Sequence, residues 1–224
     1  MYKCGKCSSN SSGQGALFNK FKKGYKFALK GNKLIFKKWN DVEGIRDVLK
    51  NKKINGIIIT GSNYFVKDKE HSIIDDSILN PDIRPLRPLH HLQPLRSLRP
   101  LHHLQPLRSR PLPILAICYG FQYFVSRFGK NSFIKSNKSG YMKYNSSFKI
   151  TEPFYIPKSK YFFIHTDYIV RVPKDFKVIK KIKNKIIIAY NSKKNILGVQ
   201  FHPEKYKKSG RLFFNAWINK YVTA

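Results

Sequence analysis

The chain has 224 residues, 42% of them apolar and 14% aromatic, which supports a globular protein with one full hydrophobic core. Its 44 Lys and Arg against 12 Asp and Glu give a formal charge of +32. The basic residues are spread over almost every segment, so the expectation is nonspecific adhesion to polyanions and no dedicated nucleic-acid site. Three cysteines do not make a disulfide framework, the apolar runs are too short to cross a bilayer, and no secretory signal pattern opens the chain, so a cytoplasmic protein without a membrane partner is expected.

Residues 1–30 read as a degenerate or disordered N-terminal segment, because Met1 to Gln14 is polar, rich in Ser and Gly, and holds no run able to serve as a central strand. Cys4 and Cys7 have the spacing of half a zinc site, but no second Cys or His pair lies close by, so no metal is expected. From Lys33 the pattern becomes regular. Leu34 to Phe36 reads as a strand, Asp41 can cap a helix running to about Lys50, and Ile57-Ile58-Ile59 reads as a buried strand that delivers Thr60-Gly61-Ser62-Asn63 at its carboxyl end.

An interruption follows at about residues 84–110. Arg87 to Ser97 recurs unchanged as Arg99 to Ser109, a sign of recent duplication and not of a diverging structural repeat. Five prolines between Arg84 and Ser109 exclude a continuous helix. The stretch is expected to be an insertion in a surface loop. The adjacent pairs His90-His91 and His102-His103 make a poor closed metal site, whereas the arginines offer charge to an acidic partner.

The chain is organised around Pro113 to Gln122. The uncharged run Ile114 to Ile117 ends abruptly at Cys118, and Tyr119 to Phe128 carries apolar residues at helical spacing until Gly129 can stop it, so the segment reads as strand, sharp turn, helix. Such a turn brings the residues two before and two after the nucleophile together, and both must be small; Ala116 and Gly120 are. It also sets the sulfur near a helix amino terminus, where partial positive charge favours thiolate. Taken alone, Cys118 reads as an ordinary buried cysteine closing a core strand; the second motif below is what makes it a candidate nucleophile.

Strands are expected at Phe148 to Thr151, Tyr161 to Ile164, Phe176 to Lys180, Ile186 to Tyr190 and Ile196 to Phe201. The last of these leads into His202-Pro203-Glu204. In extended chain the side chains at i and i+2 point the same way, so Glu204 can orient His202, and His202 can face Cys118 as its base. A final helix, about Ser209 to Tyr221, would turn Leu212, Phe213, Ala216, Trp217 and Tyr221 toward the core.

Ala116-Ile-Cys-Tyr-Gly-Phe-Gln122 and Gly198-Val-Gln-Phe-His-Pro-Glu204 resemble the two signature motifs of the class I, triad-type glutamine amidotransferases. His165-Thr166-Asp167 resembles the His-Gly-Asp segment in the amidotransferase unit of GMP synthetases, with Thr166 in place of the glycine. The resemblance runs from about Leu34 to Val222. It implies an α/β, three-layer, flavodoxin-like domain over residues 31–224 with a mostly parallel central sheet and an antiparallel extension, needing no cofactor.

It further implies a Cys118-His202-Glu204 triad acting on glutamine, with Gln122 contacting the substrate. Oxyanion donors would come from the loop at Gly61 and Ser62 and from Tyr119; Ser62 and Asn63 stand where the family has a second glycine and a proline. By the same resemblance His165 and Asp167 would couple the site to a separate ATP-dependent synthetase of the GMP-synthetase type, within purine biosynthesis. Two other readings stay open: a γ-glutamyl hydrolase or glutaminase of the same fold, and a catalytically decayed domain with a binding role.

Overall fold

The computed structural model describes residues 22–51, 53–62, 65–66 and 111–223. Cys4, Cys7, Asn63 and the 84–110 repeat lie outside the described residues. The chain divides into two compact units, one drawn from Lys37–Asn137 and Asp167–Gln200, the other from the chain up to Phe36, Lys138–Thr166 and Phe201 onward.

The first unit is an α/β layer built on a seven-stranded sheet. Its strands are β1 (Ile57–Ile59), β2 (Ile114–Ile117), β3 (Ile134–Ser136), β6 (Asp167–Ile169), β7 (Phe176–Ile182), β8 (Lys185–Asn191) and β9 (Ile196–Val199). They run in the order β1-β2-β9-β8-β6-β3, with β7 also paired to β8. Pairing is parallel from β1 to β2 to β9 and antiparallel beyond, which separates a parallel part from the expected antiparallel extension. β2 and β9 are uncharged and buried at every position, as strands covered on both faces must be. On β7, Lys177, Lys180 and Lys181 guard a sheet edge against pairing with other chains.

One face of this sheet is covered by α2 (Val42–Asn51) and α3 (Tyr119–Phe128). Ile114 and Ala116 of β2 pack with Phe121, Phe124 and Val125 of α3 and with Ile45 and Leu49 of α2. Each fully buried Phe or Leu stabilises by about 1.5–3 kcal/mol over its exposed state. Asp41 caps α2 as anticipated: its Oδ1 accepts the Gly44 N–H at 3.1 Å and its Oδ2 pairs with Lys37 Nζ at 2.9 Å. The bond from Lys37 holds the Asp41 carboxyl below its ordinary range.

The second unit joins the antiparallel pair β4 (Met142–Ile150) and β5 (Ile156–His165) to helix α4 (Lys207–Trp217) and to helical residues 22–28, here α1. Its centre is aromatic. Phe201 meets Tyr161 at 4.4 Å between ring centroids, Phe213 at 5.4 Å and Phe148 at 5.7 Å. Ser209 Oγ donates to the Lys160 carbonyl at 2.7 Å and ties α4 to β5. A Cβ at Gly210 would lie 2.3 Å from the Pro203 carbonyl oxygen, so only glycine lets α4 approach the chain there.

The structure departs from expectation at several points, and Ile57–Ile59, expected to be buried, is only half-buried. Residues 22–30, within the segment read as degenerate or disordered, hold a helix with Tyr25, Ala28 and Leu29 buried at i, i+3 and i+4; the polar composition of Met1 to Gln14 does not extend that far. Leu34 to Phe36 is not a strand, and Ile35 is 42% exposed. Strand conformation needs a paired edge, and among the described residues this segment has none. Leu212 of α4 is exposed while Phe214 is fully buried, because α1 brings Tyr25 edge-on against Phe214 at 5.8 Å. Finally, β3 and β6 were not anticipated, since three residues are too few to show a period.

Candidate active site

The carboxyl ends of β1, β2 and β9 come out together. Ile59 pairs with Ala116, Ala116 with Gly198, and Ile117 with Val199, so Thr60-Gly61-Ser62, Cys118 and Gln200 leave one edge of the parallel sheet side by side. Cys118 occupies the turn between β2 and α3 with φ 52° and ψ −105°, a left-handed conformation that costs a non-glycine residue about 1–3 kcal/mol. The surroundings hold it there. The Cys118 N–H donates to the Val199 carbonyl at 2.7 Å, and its own carbonyl accepts the first bond of the α3 ladder, from the Gln122 N–H at 3.1 Å.

Both small residues are required. Ala116 is fully buried, and a Cβ at Gly120 would stand 2.8 Å from both the Ile59 carbonyl oxygen and Ile59 Cγ2. A Cβ at Gly198 would come within 2.1 Å of the Phe121 ring, so β9 also needs glycine where α3 lies across it. Of the expected oxyanion residues, Gly61 is half-buried, Ser62 is exposed at the end of β1, and Tyr119 is buried as the first residue of α3.

The second unit carries His202, the expected base. The His202 N–H donates to the Phe162 carbonyl at 2.8 Å, which fixes the backbone beside β5. Its Nδ1 lies 2.9 Å from Glu204 Oε1, with His202 only 5% exposed. The route differs from the extended chain expected: β9 ends at Val199, and Glu204 sits in a short 3-10 turn, Pro203–Lys205, that starts on the fixed φ of Pro203. α1 lies close over this turn, where a Cβ at Gly24 would be 3.3 Å from the Glu204 carbonyl oxygen.

Of the proposed coupling residues, His165 ends β5, buried, with its ring edge-on to Tyr144 at 6.0 Å between centroids. Asp167 opens β6 in the other unit, also buried, and its Oδ1 accepts from Ser136 Oγ at 2.6 Å. Gln122 is buried as well. Its Nε2 donates to the Asp167 carbonyl at 2.7 Å and to Gln200 Oε1 at 3.4 Å, so both of its amide hydrogens are spent inside the protein.

A family model for class-I glutamine amidotransferases matches residues 99–219, more than half of the chain. The chain belongs to that family. It is 27% identical to the glutamine-hydrolyzing GMP synthase of Wigglesworthia glossinidia brevipalpis over 201 residues, 84% of this chain and 32% of that protein. It is 31% identical to the same-named enzyme of Borreliella burgdorferi strain N40 over 162 residues, 70% of this chain and 25% of that one. The chain thus spans about a third or less of the curated relatives it matches. Among solved structures, a putative GMP synthase subunit from Thermoplasma acidophilum is 27% identical, covering 51% of this chain and 59% of that chain, with a TM-score of 0.39.

One residue beside Cys118 escaped sequence reasoning. Gln200 is 1% exposed, and its Nε2 lies 3.6 Å from Cys118 Sγ. The only hint in the sequence was a polar residue between the apolar Val199 and Phe201, where β9 ends.

Proposed function

We propose that this chain hydrolyses glutamine to glutamate and ammonia through a Cys118-His202-Glu204 triad, with residues 31–224 acting as one domain interrupted at about 84–110. The observation that carries this reading is the in-register ending of β2 and β9. Cys118 follows the first strand directly, and His202, already bonded to Glu204 at 2.9 Å, follows the second by three residues.

In this reaction His202 takes the thiol proton, and Cys118 Sγ attacks the carbonyl carbon of the side-chain amide. The oxyanion accepts from backbone N–H groups at the Gly61-Ser62 loop and at Tyr119. His202 returns the proton to the departing nitrogen, which leaves as ammonia. Water, deprotonated by the same imidazole, then attacks the γ-glutamyl thioester and releases glutamate and the free thiol. Glu204 keeps the proton of the neutral imidazole on Nδ1, so that Nε2 is the atom that accepts and returns protons.

The ammonia passes to an ATP-dependent acceptor of the GMP-synthetase type. What supports this is the activity for which the relatives are named, together with His165 and Asp167. Because both side chains are buried, they would couple the site to its acceptor through the backbone they anchor and not by touching it.

Trapping with 6-diazo-5-oxo-norleucine, read by intact mass, tests the reading. One adduct on the parent chain, absent from Cys118→Ala, is expected. No adduct, even with a GMP-synthetase-type acceptor present, would leave a binding-only domain as the better account.

A further inference from the structure

We infer that Gln200 holds the Cys118 sulfur in place for attack through a hydrogen bond from its amide and is a catalytic residue of the proposed hydrolysis, with Gln122 as the positioning residue that aims it; the catalytic role rests on the function proposed above. The two amides form a buried relay with a single sense. Gln122 Nε2 donates to the Asp167 carbonyl at 2.7 Å and to Gln200 Oε1 at 3.4 Å, and Gln200 Nε2 reaches Cys118 Sγ at 3.6 Å.

A buried primary amide has to spend its polar atoms on partners, and here the partners dictate its orientation. Turning the Gln200 amide over would set its NH2 against the NH2 of Gln122, donor against donor, and face its oxygen to the sulfur. The backbones leave little room for other arrangements. The Gln200 N–H donates to the Ile187 carbonyl at 2.9 Å on β8, and the Gln122 N–H to the Cys118 carbonyl at 3.1 Å.

A donor aimed at sulfur stabilises the anion more than the thiol, and it does so most strongly away from water. Cys118 and Gln200 are 5% and 1% exposed. The helix amino terminus contributes in the same direction, but a lateral N–H adds directionality: it fixes where the lone pairs of the sulfur point before substrate arrives. Both amide hydrogens of Gln122 are committed inward, and through one of them it aims Gln200.

The test uses the full chain and iodoacetamide, with alkylation followed on the Cys118 peptide by mass across a range of pH, so that Cys4 and Cys7 do not interfere. Gln200→Met keeps the length of the side chain and removes the donor; its Cys118 should alkylate about tenfold more slowly near pH 7. Gln200→Glu, which turns a carboxylate toward the sulfur, should slow alkylation further, and Gln122→Met should slow it in the same direction. A side chain needed only for packing would lower the melting temperature and leave the alkylation rate in place.

Profiles of Gln200→Met and Gln200→Glu that superimpose on the parent's would overturn the inference. If the methionine variant does not fold, the nearly isosteric glutamate variant supplies the comparison. Alkylation requires neither glutamine nor an acceptor. A chain that shows the expected order but never hydrolyses glutamine would therefore refute the proposed activity while the contact with the sulfur stands.

Discussion

Gly120 stands so close to Ile59 that a single added methyl group would come within 2.8 Å of the Ile59 carbonyl oxygen. This contact locks the first turn of α3 against the end of β1, and so sets the Cys118 turn beside the Thr60-Gly61-Ser62 loop. The obstacle is backbone, which cannot rotate aside as a side chain would. Gly120→Ala should therefore lose about 1–3 kcal/mol of stability. A shifted urea midpoint at unchanged slope would show it, and Cys118 alkylation should fall with the displaced helix terminus. Parent-like stability would mean that β1 and α3 separate more easily than the contact implies.

The strain at Cys118 can be measured by comparing two variants that both remove the thiol. Glycine is at ease at φ 52° and alanine is not, so Cys118→Gly should be more stable than Cys118→Ala by about 1 kcal/mol. The order reverses elsewhere in ordinary strand or helix, where glycine is the less stable of the two. Calorimetric melting temperatures in the ordinary order would argue that the turn relaxes once the sulfur is gone.

Glu204→Gln keeps the size of the group 2.9 Å from His202 Nδ1 and removes its charge. Without the carboxylate, the imidazolium of the proposed acyl transfer would lose its counter-ion and the tautomer preference would weaken. Glutamine turnover should drop about 10²- to 10⁴-fold, measured as ammonia release at saturating glutamine. The melting temperature should change far less than the rate. A variant within a few-fold of the parent's turnover would remove Glu204 from the mechanism.

Tyr161 gives a pH prediction. It is 1% exposed, its hydroxyl has no hydrogen-bond partner of good geometry among the described residues, and burial pushes its ionisation above the ordinary value of 10.0, with the Ser159 hydroxyl opposing this in part. The folded state thus binds the phenolic proton more tightly than the unfolded chain. The associated stability is complete below the unfolded value of 10.0 and is lost as pH rises toward the higher folded value. Tyr161→Phe should match or slightly exceed the parent's stability near about pH 8, because it removes an unsatisfied hydroxyl, and should lose less between about pH 10 and 11. Parallel losses in the two proteins would place the alkaline transition on other groups.

The elements around Cys118 were legible because their signals act between neighbours in the chain. An uncharged run ending at Cys118, small residues at 116 and 120, and Gly129 after the helical apolar pattern specify strand, turn and helix without reference to anything distant. Asp41 could likewise be read as a cap because its partner is the N–H of Gly44. The His202 and Glu204 pairing was legible for the same reason, although Pro203 delivers Glu204 by a tight turn and not by extended chain. Where neighbours carried little signal the reading failed. Leu34 to Phe36 has strand composition but lacks a partner edge, and β3 and β6 exist only because they pair with each other.

The sequence by itself determined the turn at Cys118, the two motifs and the family they belong to, because steric demand and apolar period are local properties. Only the tertiary structure decided that β1, β2 and β9 end together, that α1 lies over the Glu204 turn, and that Gln200 reaches Cys118 across 82 residues of chain. A buried amide takes its partner from whatever packing brings within hydrogen-bond distance, and that partner leaves no mark in the residues beside it.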